Sequence, residues 1–181
     1  MRTGGWRPPA TILIDRRMKL ELTPIGIIHS PHREAKGTPI QPRWAESVEG
    51  TVEVFPEFAA GLRDLDGFDR IWLLYWFDRA RKARLEVVPY RDTQTRGLFA
   101  TRAPSRPNPI GLSCVRLLAV EGAQLRVAGL DVLDGTPLLD IKPYVPDCDV
   151  FTVERVGWYA NARGSRAADD RFARDEPSQL P

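Results

Sequence analysis

The feature that most constrains the fold is a series of strand-length apolar segments separated by turn residues. Val48, Val52 and Val54 alternate with polar residues, the period-two pattern of a strand with one buried face. Residues 71–77 form a continuous apolar and aromatic run, which is typical of a strand buried on both faces. An Asp-Gly pair at 134–135, flanked by apolar residues, predicts a tight turn between two strands.

These segments predict an all-β chain of about seven strands. Further strands are expected at 20–28, 84–90, 96–102 and 111–120. One or two short helices are expected besides, the clearest where Phe58, Leu62 and Leu65 recur at helical spacing after Pro56. A sandwich or a barrel would cover such strands, and we predict a closed β-barrel because closure removes exposed sheet edges. The glycine-rich strand–turn–helix motif of Rossmann folds does not occur.

Composition divides the chain into three parts. Residues 1–19 contain glycines and prolines that interrupt regular structure, so they predict a flexible extension, within which Met18 is an alternative start. Residues 20–160 form the predicted barrel domain, and the polar residues 161–181 predict a flexible tail. Apolar segments stay far below the ~20 residues that span a bilayer, so we expect a cytoplasmic protein that does not enter membranes.

The net charge of the chain does not by itself decide whether it binds nucleic acid, because a locally basic face can exist on a near-neutral protein. The formal net charge is only +2, whereas domains that simply bind duplex nucleic acid are usually more basic. Nearly all of the cations are arginines, whose guanidinium groups form paired hydrogen bonds with oxyanions. Two histidines and two cysteines, without the spacing of metal ligands, predict no metal site.

The segment FATRAPSRPNPIGLS is the strongest candidate for a functional loop. Pro104, Pro107 and Pro109 fix their own backbone and hold the residues before them, including Arg106 and Asn108, in extended geometry. Side chains on so stiff a loop lose little entropy when they bind a ligand. The alternative is a rigid connector between strands in which Asn108 bonds its own backbone.

Three motifs carry a resemblance to a known family: PIGIIHSP, FATRxxxRPNPIG and LDGTPxxDIKPY. With them, residues 23–147 resemble the TsaA/TrmO family, also called YaeB-like. The resemblance implies an S-adenosylmethionine-dependent tRNA methyltransferase that forms homodimers and binds its methyl donor on the loops of a β-barrel. The implied acceptor is the exocyclic nitrogen of threonylcarbamoyladenosine, next to the anticodon in the tRNA stem-loop.

The resemblance also implies which residues bind the methyl donor. They are Pro39, Ile40, Gln41, Asp78, Arg79, Arg102, Leu112, Gly129, Leu130 and Asp131. The family commonly has arginine where this chain has Ile40, so a side-chain contact made there by relatives would be lost; Arg43 is a candidate substitute.

The residue types suit the groups of the donor. Arg102 can bind its carboxylate, and Asp78 or Asp131 can accept from its ribose hydroxyls or its ammonium group. Asp131 could instead belong to the turn chemistry around Gly135. Apolar walls for the adenine are expected from Phe99, Leu112 and Leu130.

Methyl transfer from a sulfonium depends mainly on alignment, so a strong general base is optional. The candidate catalytic residues are Asp140, Tyr144 and Asn108. His29 is a further candidate base, although a lone histidine at a strand end more often has a structural role. The candidate contacts to RNA are Arg43, Ser105, Arg106 and Lys142. Two alternatives stay open at this point: the same donor with a small molecule or another RNA as acceptor, and a non-enzymatic barrel that binds a nucleotide-like ligand.

Overall fold

Six antiparallel strands close into a barrel in the computed structural model, which describes residues 20–172. The barrel order is β1-β2-β7-β6-β3-β8, and β8 pairs with β1 to close it, while β4 and β5 form a separate two-stranded sheet. The strands are β1 (Gly26–His29), β2 (Glu49–Val54), β3 (Arg70–Trp76), β4 (Glu86–Val87), β5 (Arg96–Gly97), β6 (Ile110–Glu121), β7 (Gln124–Ala128) and β8 (Thr136–Pro143). The predicted all-β class and the closed barrel are confirmed.

Helices are short throughout the described part of the chain. The α-helix there is α1 (Pro146–Asp149), and the 3-10 helices are Pro42–Trp44, Pro56–Leu62, Leu65–Gly67, Leu98–Ala100, Gly157–Asn161 and Asp170–Phe172. The helix predicted after Pro56 is therefore two consecutive 3-10 turns, which bury Leu62 and Leu65. Between residues 20 and 172, these helices are all too short and polar to cross a bilayer.

Alternating apolar side chains fill the barrel. On β3, Ile71, Leu73 and Tyr75 are buried, and they pack with inward residues of the other strands such as Val52 and Val115. The prediction that 71–77 is buried on both faces is wrong, because the outward residues Trp72 and Leu74 are only half-buried and Trp76 is 45% exposed.

Two of the predicted strands are much shorter than expected. In 84–90 and 96–102 only β4 and β5, of two residues each, pair with one another. Pro89 lacks an amide donor that would extend β4, and β5 runs directly into the 3-10 helix Leu98–Ala100. The long connection between β3 and β6 therefore leaves the barrel wall and carries side chains of the site.

The last described residues return to the barrel. The Gly37 and Ile40 amides donate to the carbonyls of Ala168 and Arg166, at 2.9 and 3.0 Å, and the Ala168 amide donates to the Thr38 carbonyl at 2.7 Å. Of the predicted tail, the part up to residue 172 thus lies along the loop that follows β1. The predicted extension 1–19, with Met18, and the tail residues 173–181 lie outside the described residues.

Candidate functional site

A cavity of about 620 Å³ lies beside the barrel where several connecting segments meet. This volume falls within the about 300–1,000 Å³ typical of small-molecule sites. Residues from β3, β6 and the loop before β8 form its barrel side, and the proline-rich loop and the C-terminal segment form the rest. The lining residues belong to segments 35–41, 75–80, 89–90, 101–106, 110–112, 131–136 and 158–172.

The proline-rich loop is braced by its own hydrogen bonds. The Arg106 guanidinium donates to the Thr101 and Ala103 carbonyls at 3.1 and 3.3 Å, and the Thr101 hydroxyl donates to the Leu98 carbonyl at 2.8 Å. Arg106 also lies over the Phe99 ring, with 5.8 Å between Cζ and the ring centroid. These contacts and the prolines together fix the loop wall of the cavity.

Three polar groups form a hydrogen-bonded chain at the barrel side of the cavity. The Ser113 hydroxyl donates to Asp131 Oδ1 at 2.6 Å, and the Tyr75 hydroxyl lies 3.0 Å from Ser113 Oγ. Tyr75 and Gly111 are partners across β3 and β6, and a Cβ at Gly111 would lie 2.1 Å from the Tyr75 ring. A glycine at 111 is therefore required for the tyrosine ring to lie across β6.

The surroundings of these three hydrogen-bonded side chains favour the neutral forms of the Asp131 carboxyl and the Tyr75 hydroxyl. Burial raises the pKa of the Asp131 carboxyl to about 7, although the hydrogen bond from Ser113 and the charge of Arg102 oppose the shift. Burial, followed by the neighbouring Asp131 carboxylate, raises the pKa of Tyr75 well above its ordinary value. Asp131 therefore changes its charge near neutral pH while Tyr75 stays protonated.

Hydrogen bonds also link other residues that the sequence predicts as donor-binding. The Arg102 guanidinium donates to the Gln41 side-chain oxygen. Arg79 forms an ion pair with Asp78 at 3.2 Å and donates to the Thr136 hydroxyl at 3.1 Å. Positions 39–41, 78–79 and 102, distant in sequence, are in this way held around one cavity.

Most of the residues predicted to bind the donor line the cavity. Those that do are Pro39, Ile40, Gln41, Asp78, Arg79, Arg102, Leu112 and Asp131, joined by the RNA candidate Arg106. Leu130 is instead fully buried in the barrel core, and Gly129 lies next to it with a φ of 99° that favours glycine. Phe99 is 76% exposed and lies outside the lining.

The predicted catalytic residues lie outside the lining of this cavity. Asp140 forms an ion pair with the RNA candidate Lys142 at 2.8 Å along β8, and the Tyr144 ring packs 5.9 Å from Trp72. Asn108 is exposed at the far end of the proline-rich loop.

Arg43 and Ser105, the two remaining residues predicted to contact RNA, also lie outside the lining of this cavity. Arg43 is exposed on the 3-10 helix Pro42–Trp44. Ser105 is buried at the wall of a second cavity, of about 560 Å³, on the other side of the proline-rich loop.

Sequence reasoning missed several side chains that line the cavity. Tyr75 and Phe77 belong to the apolar run 71–77, whose pattern predicts only a buried strand, and both also line the cavity. Ser113, which bonds the lining residue Asp131 without lining the cavity itself, shares the inward parity of Val115 on β6, a signal that could have pointed to it. Trp158 and Tyr159 carry no such signal, because they lie in none of the motifs that mark candidate site residues.

The barrel part of the chain is similar to proteins named for binding S-adenosyl-L-methionine and to tRNA methyltransferases. The sequence profile described as "tRNA-methyltransferase O N-terminal domain" matches residues 27–150. A probable S-adenosyl-L-methionine-binding protein of Pyrococcus abyssi is 58% identical over 135 residues, which are 75% of this chain and 73% of the relative. The tRNA (adenine(37)-N6)-methyltransferase of Escherichia coli K12 is 38% identical over 132 residues, 67% of this chain and 56% of that enzyme.

Solved structures agree with the sequence comparison. The crystal structure of TrmO from Pseudomonas aeruginosa superposes with a TM-score of 0.66 at 41% identity, over 77% of this chain and 62% of that one. The chain therefore spans less than two thirds of the TrmO chain with which it aligns. The matched part contains the barrel and most of the cavity, whereas the cavity residues after 150 fall outside the family profile.

Proposed function

Because the chain belongs to the family of the tRNA-methyltransferase O N-terminal domain, we propose that it is an S-adenosylmethionine-dependent methyltransferase acting on the exocyclic nitrogen of adenine 37 in tRNA. The observation that carries the proposal is the cavity, which gathers Pro39–Gln41, Asp78–Arg79, Arg102, Leu112 and Asp131 from separate parts of the chain. These are the positions that the family resemblance implies for donor binding. The name of the Escherichia coli relative supports the acceptor.

The cavity residues fit the chemistry of the donor. The Arg102 guanidinium suits a carboxylate, and the carboxylates of Asp78 and Asp131 suit hydroxyl or ammonium donors. Phe77 and Leu112 supply apolar lining of the kind that surrounds an adenine ring. When bound, S-adenosylmethionine supplies a methyl group on a positively charged sulfur, already activated for displacement.

The protein contributes mainly orientation. Alignment of two reactants in one site can lower a barrier by about 7–11 kcal/mol, provided that the groups which hold them do not move. The prolines and the hydrogen bonds of Arg106 hold the loop that carries Arg102. The hydrogen bonds among Tyr75, Ser113 and Asp131 hold the Asp131 side chain at the barrel side of the cavity.

Finer features of the proposal follow from the resemblance. The acceptor adenine would carry the threonylcarbamoyl group, and the anticodon stem-loop would be the part of the tRNA that is bound. A tRNA substrate would also place the protein in the cytoplasm.

A homodimer is proposed on the same grounds. Trp76 and its strand partner Ile110, which are 45% and 41% exposed, offer an apolar face for a second copy at the edge of the cavity that Ile110 also lines. Sedimentation equilibrium should give the mass of a dimer, and a monomer at all concentrations would contradict this part.

Titration calorimetry with S-adenosylmethionine tests the central proposal. We expect wild-type protein to bind and Arg102→Ala to bind at least tenfold more weakly, because the variant loses a charge-assisted hydrogen bond to the carboxylate. Arg63→Ala removes an exposed arginine outside the cavity lining and should bind as wild type does. Absence of binding heat for wild type would overturn the proposal.

Mass spectrometry of tRNA nucleosides tests the acceptor. A strain that lacks this protein should lose the methylated form of the adenosine at position 37, and Arg102→Ala should fail to restore it. An unchanged amount of that nucleoside would exclude the tRNA reaction.

A second candidate function is donor binding without methylation of tRNA. Two points favour it: Ile40 stands where the family resemblance implies an arginine, and the Pyrococcus abyssi relative is named for donor binding alone. Positive calorimetry together with unchanged nucleosides would support this candidate over the first.

A further inference from the structure

Two aromatic side chains from beyond the family-matched part form a wall of the donor cavity. Trp158 and Tyr159 lie on the 3-10 helix Gly157–Asn161 and line the cavity that contains Arg102 and Asp131. The family profile ends at residue 150. The donor-binding positions implied by the resemblance all lie between 39 and 131, so this wall is an addition to them.

Several contacts fix the Trp158 ring. Its Nε1 donates to the Ala100 carbonyl at 2.8 Å, which ties the indole edge to the loop that carries Arg102. Arg96 Cζ lies 5.8 Å from the ring centroid, and the Tyr159 ring packs at 4.6 Å between centroids with a tilt of 47°. The N–H edge of the indole is thereby bonded to protein and its ring packs against Arg96 and Tyr159, while the half-buried side chain lines the cavity.

The backbone near the two rings is also bonded to Arg91, which lies in the connection between β4 and β5. Arg91 donates to the Ala162 carbonyl at 3.2 Å and accepts from the Arg163 amide at 3.1 Å. Its guanidinium lies between Trp44 and Tyr159, 5.0 and 6.0 Å from their ring centroids. The rings are therefore presented on a fixed support, so little conformational entropy would be lost when a planar ligand contacts them.

A methyltransferase that acts on a nucleobase must hold two planar groups in one cavity. The acceptor base has to leave its neighbours in the RNA, and proteins hold such bases by stacking them on aromatic or guanidinium planes. We propose that Trp158, supported by Tyr159, stacks against the acceptor adenine beside the methyl donor. This inference rests on the proposed tRNA methyltransferase function and assigns its acceptor subsite.

Three variants separate acceptor stacking from the other possible roles of the ring. Trp158→Ala removes the ring; Trp158→Phe keeps an aromatic face and removes the N–H donor to Ala100. Phe151→Ala removes a 78% exposed aromatic residue of the same segment outside the cavity lining and serves as the matched control. Thermal unfolding of each variant establishes that it is folded.

Two binding measurements then use wild type and the three variants. We expect donor affinity by calorimetry to stay unchanged in all of them. Affinity for tRNA from a strain that lacks this protein, measured by fluorescence anisotropy, should fall roughly 5- to 150-fold in Trp158→Ala, the effect of losing one base–aromatic stack. Trp158→Phe should retain most of the affinity, and Phe151→Ala all of it.

The outcomes distinguish the inference from the function on which it rests. Wild-type tRNA affinity in Trp158→Ala would overturn the inference alone, and so would a loss of donor affinity, since the ring would then contact the donor. An equal loss of tRNA affinity in Trp158→Phe and Trp158→Ala would also overturn it, because the hydrogen bond from the indole N–H to the Ala100 carbonyl would then account for the effect. Failure of wild type to bind the donor or methylate tRNA would instead overturn the proposed function.

Discussion

Among single residues, Asp131 has the largest consequence for how the protein responds to pH. Its carboxyl has an ordinary pKa of 3.8 and a pKa of about 7 in the fold, so between these values the folded state binds more protons than the unfolded state. The free energy of unfolding therefore falls as pH rises through this window and levels off above about pH 7. A shift of this size corresponds to about 4 kcal/mol at 1.36 kcal/mol per unit, an upper limit for the effect.

Asp131→Asn should remove that pH dependence. The variant is neutral at every pH, so its free energy of unfolding relative to wild type should rise between pH 5 and pH 8, as the wild-type carboxylate becomes charged in its buried position. Urea unfolding at both pH values measures the difference. Asp66→Asn, which changes an exposed carboxylate, is the control. A difference between Asp131→Asn and wild type that is constant with pH would contradict the assignment of Asp131 as the titrating group.

The sequence identifies such residues only when a motif marks them. Arg102 and Asp131 lie in or beside long family motifs, and both line the cavity. Tyr75 and Ser113 lie on strands, where periodicity indicates only whether a side chain points inward. Their contact joins residues 38 positions apart and depends on the register of β3 against β6, which a single sequence does not contain.

At the scale of elements, the approach of β3 to β6 determines the barrel side of the site. Tyr75 is the partner of Gly111, and a Cβ at position 111 would lie 2.1 Å from the tyrosine ring. That ring is buried and bonded to Ser113, so it cannot swing away as a flexible surface side chain could.

Gly111→Ala should consequently displace Tyr75 and destabilise the protein by about 1–3 kcal/mol, the usual cost of overpacking a core. Gly61→Ala introduces the same methyl group into open space and should change stability by much less. Chemical denaturation of the two variants gives the comparison. Equal stability of both variants would show that the β3–β6 contact is looser than described.

Strand number and strand length were predictable to different degrees. The alternation of Val48, Val52 and Val54 marks β2 correctly, and the preference for a barrel over a sandwich, made because closure removes sheet edges, is confirmed. The segments 84–90 and 96–102 have strand-like composition, yet they pair over two residues each. Composition reports β propensity, whereas pairing depends on whether the connection from β3 to β6 can reach the barrel wall, which is a property of the tertiary fold.

Across the whole molecule, the C-terminal segment and the loop after β1 depend on each other. Residues 166–168 bond the backbone of residues 37–40, and Ala167 pairs with Pro39 as an isolated bridge. A polar composition predicts a tail for this region because backbone hydrogen bonds leave no mark in the side-chain pattern. Ala168 and Phe172 nevertheless line the cavity with Pro39 and Gln41, so the far end of the described chain completes the site.

Ala168→Pro should loosen this arrangement by removing the amide that donates to the Thr38 carbonyl at 2.7 Å. We expect weaker S-adenosylmethionine binding by calorimetry and faster hydrogen exchange at the Gly37 and Ile40 amides, which donate to the same segment. Ala168→Gly keeps the amide and should preserve both properties more closely. If Ala168→Pro bound the donor as tightly as wild type, with unchanged exchange at these amides, then the loop after β1 would hold its shape without the C-terminal segment. The donor site would in that case be complete within the family-matched part of the chain, and the segment after residue 150 would be left with the acceptor side alone.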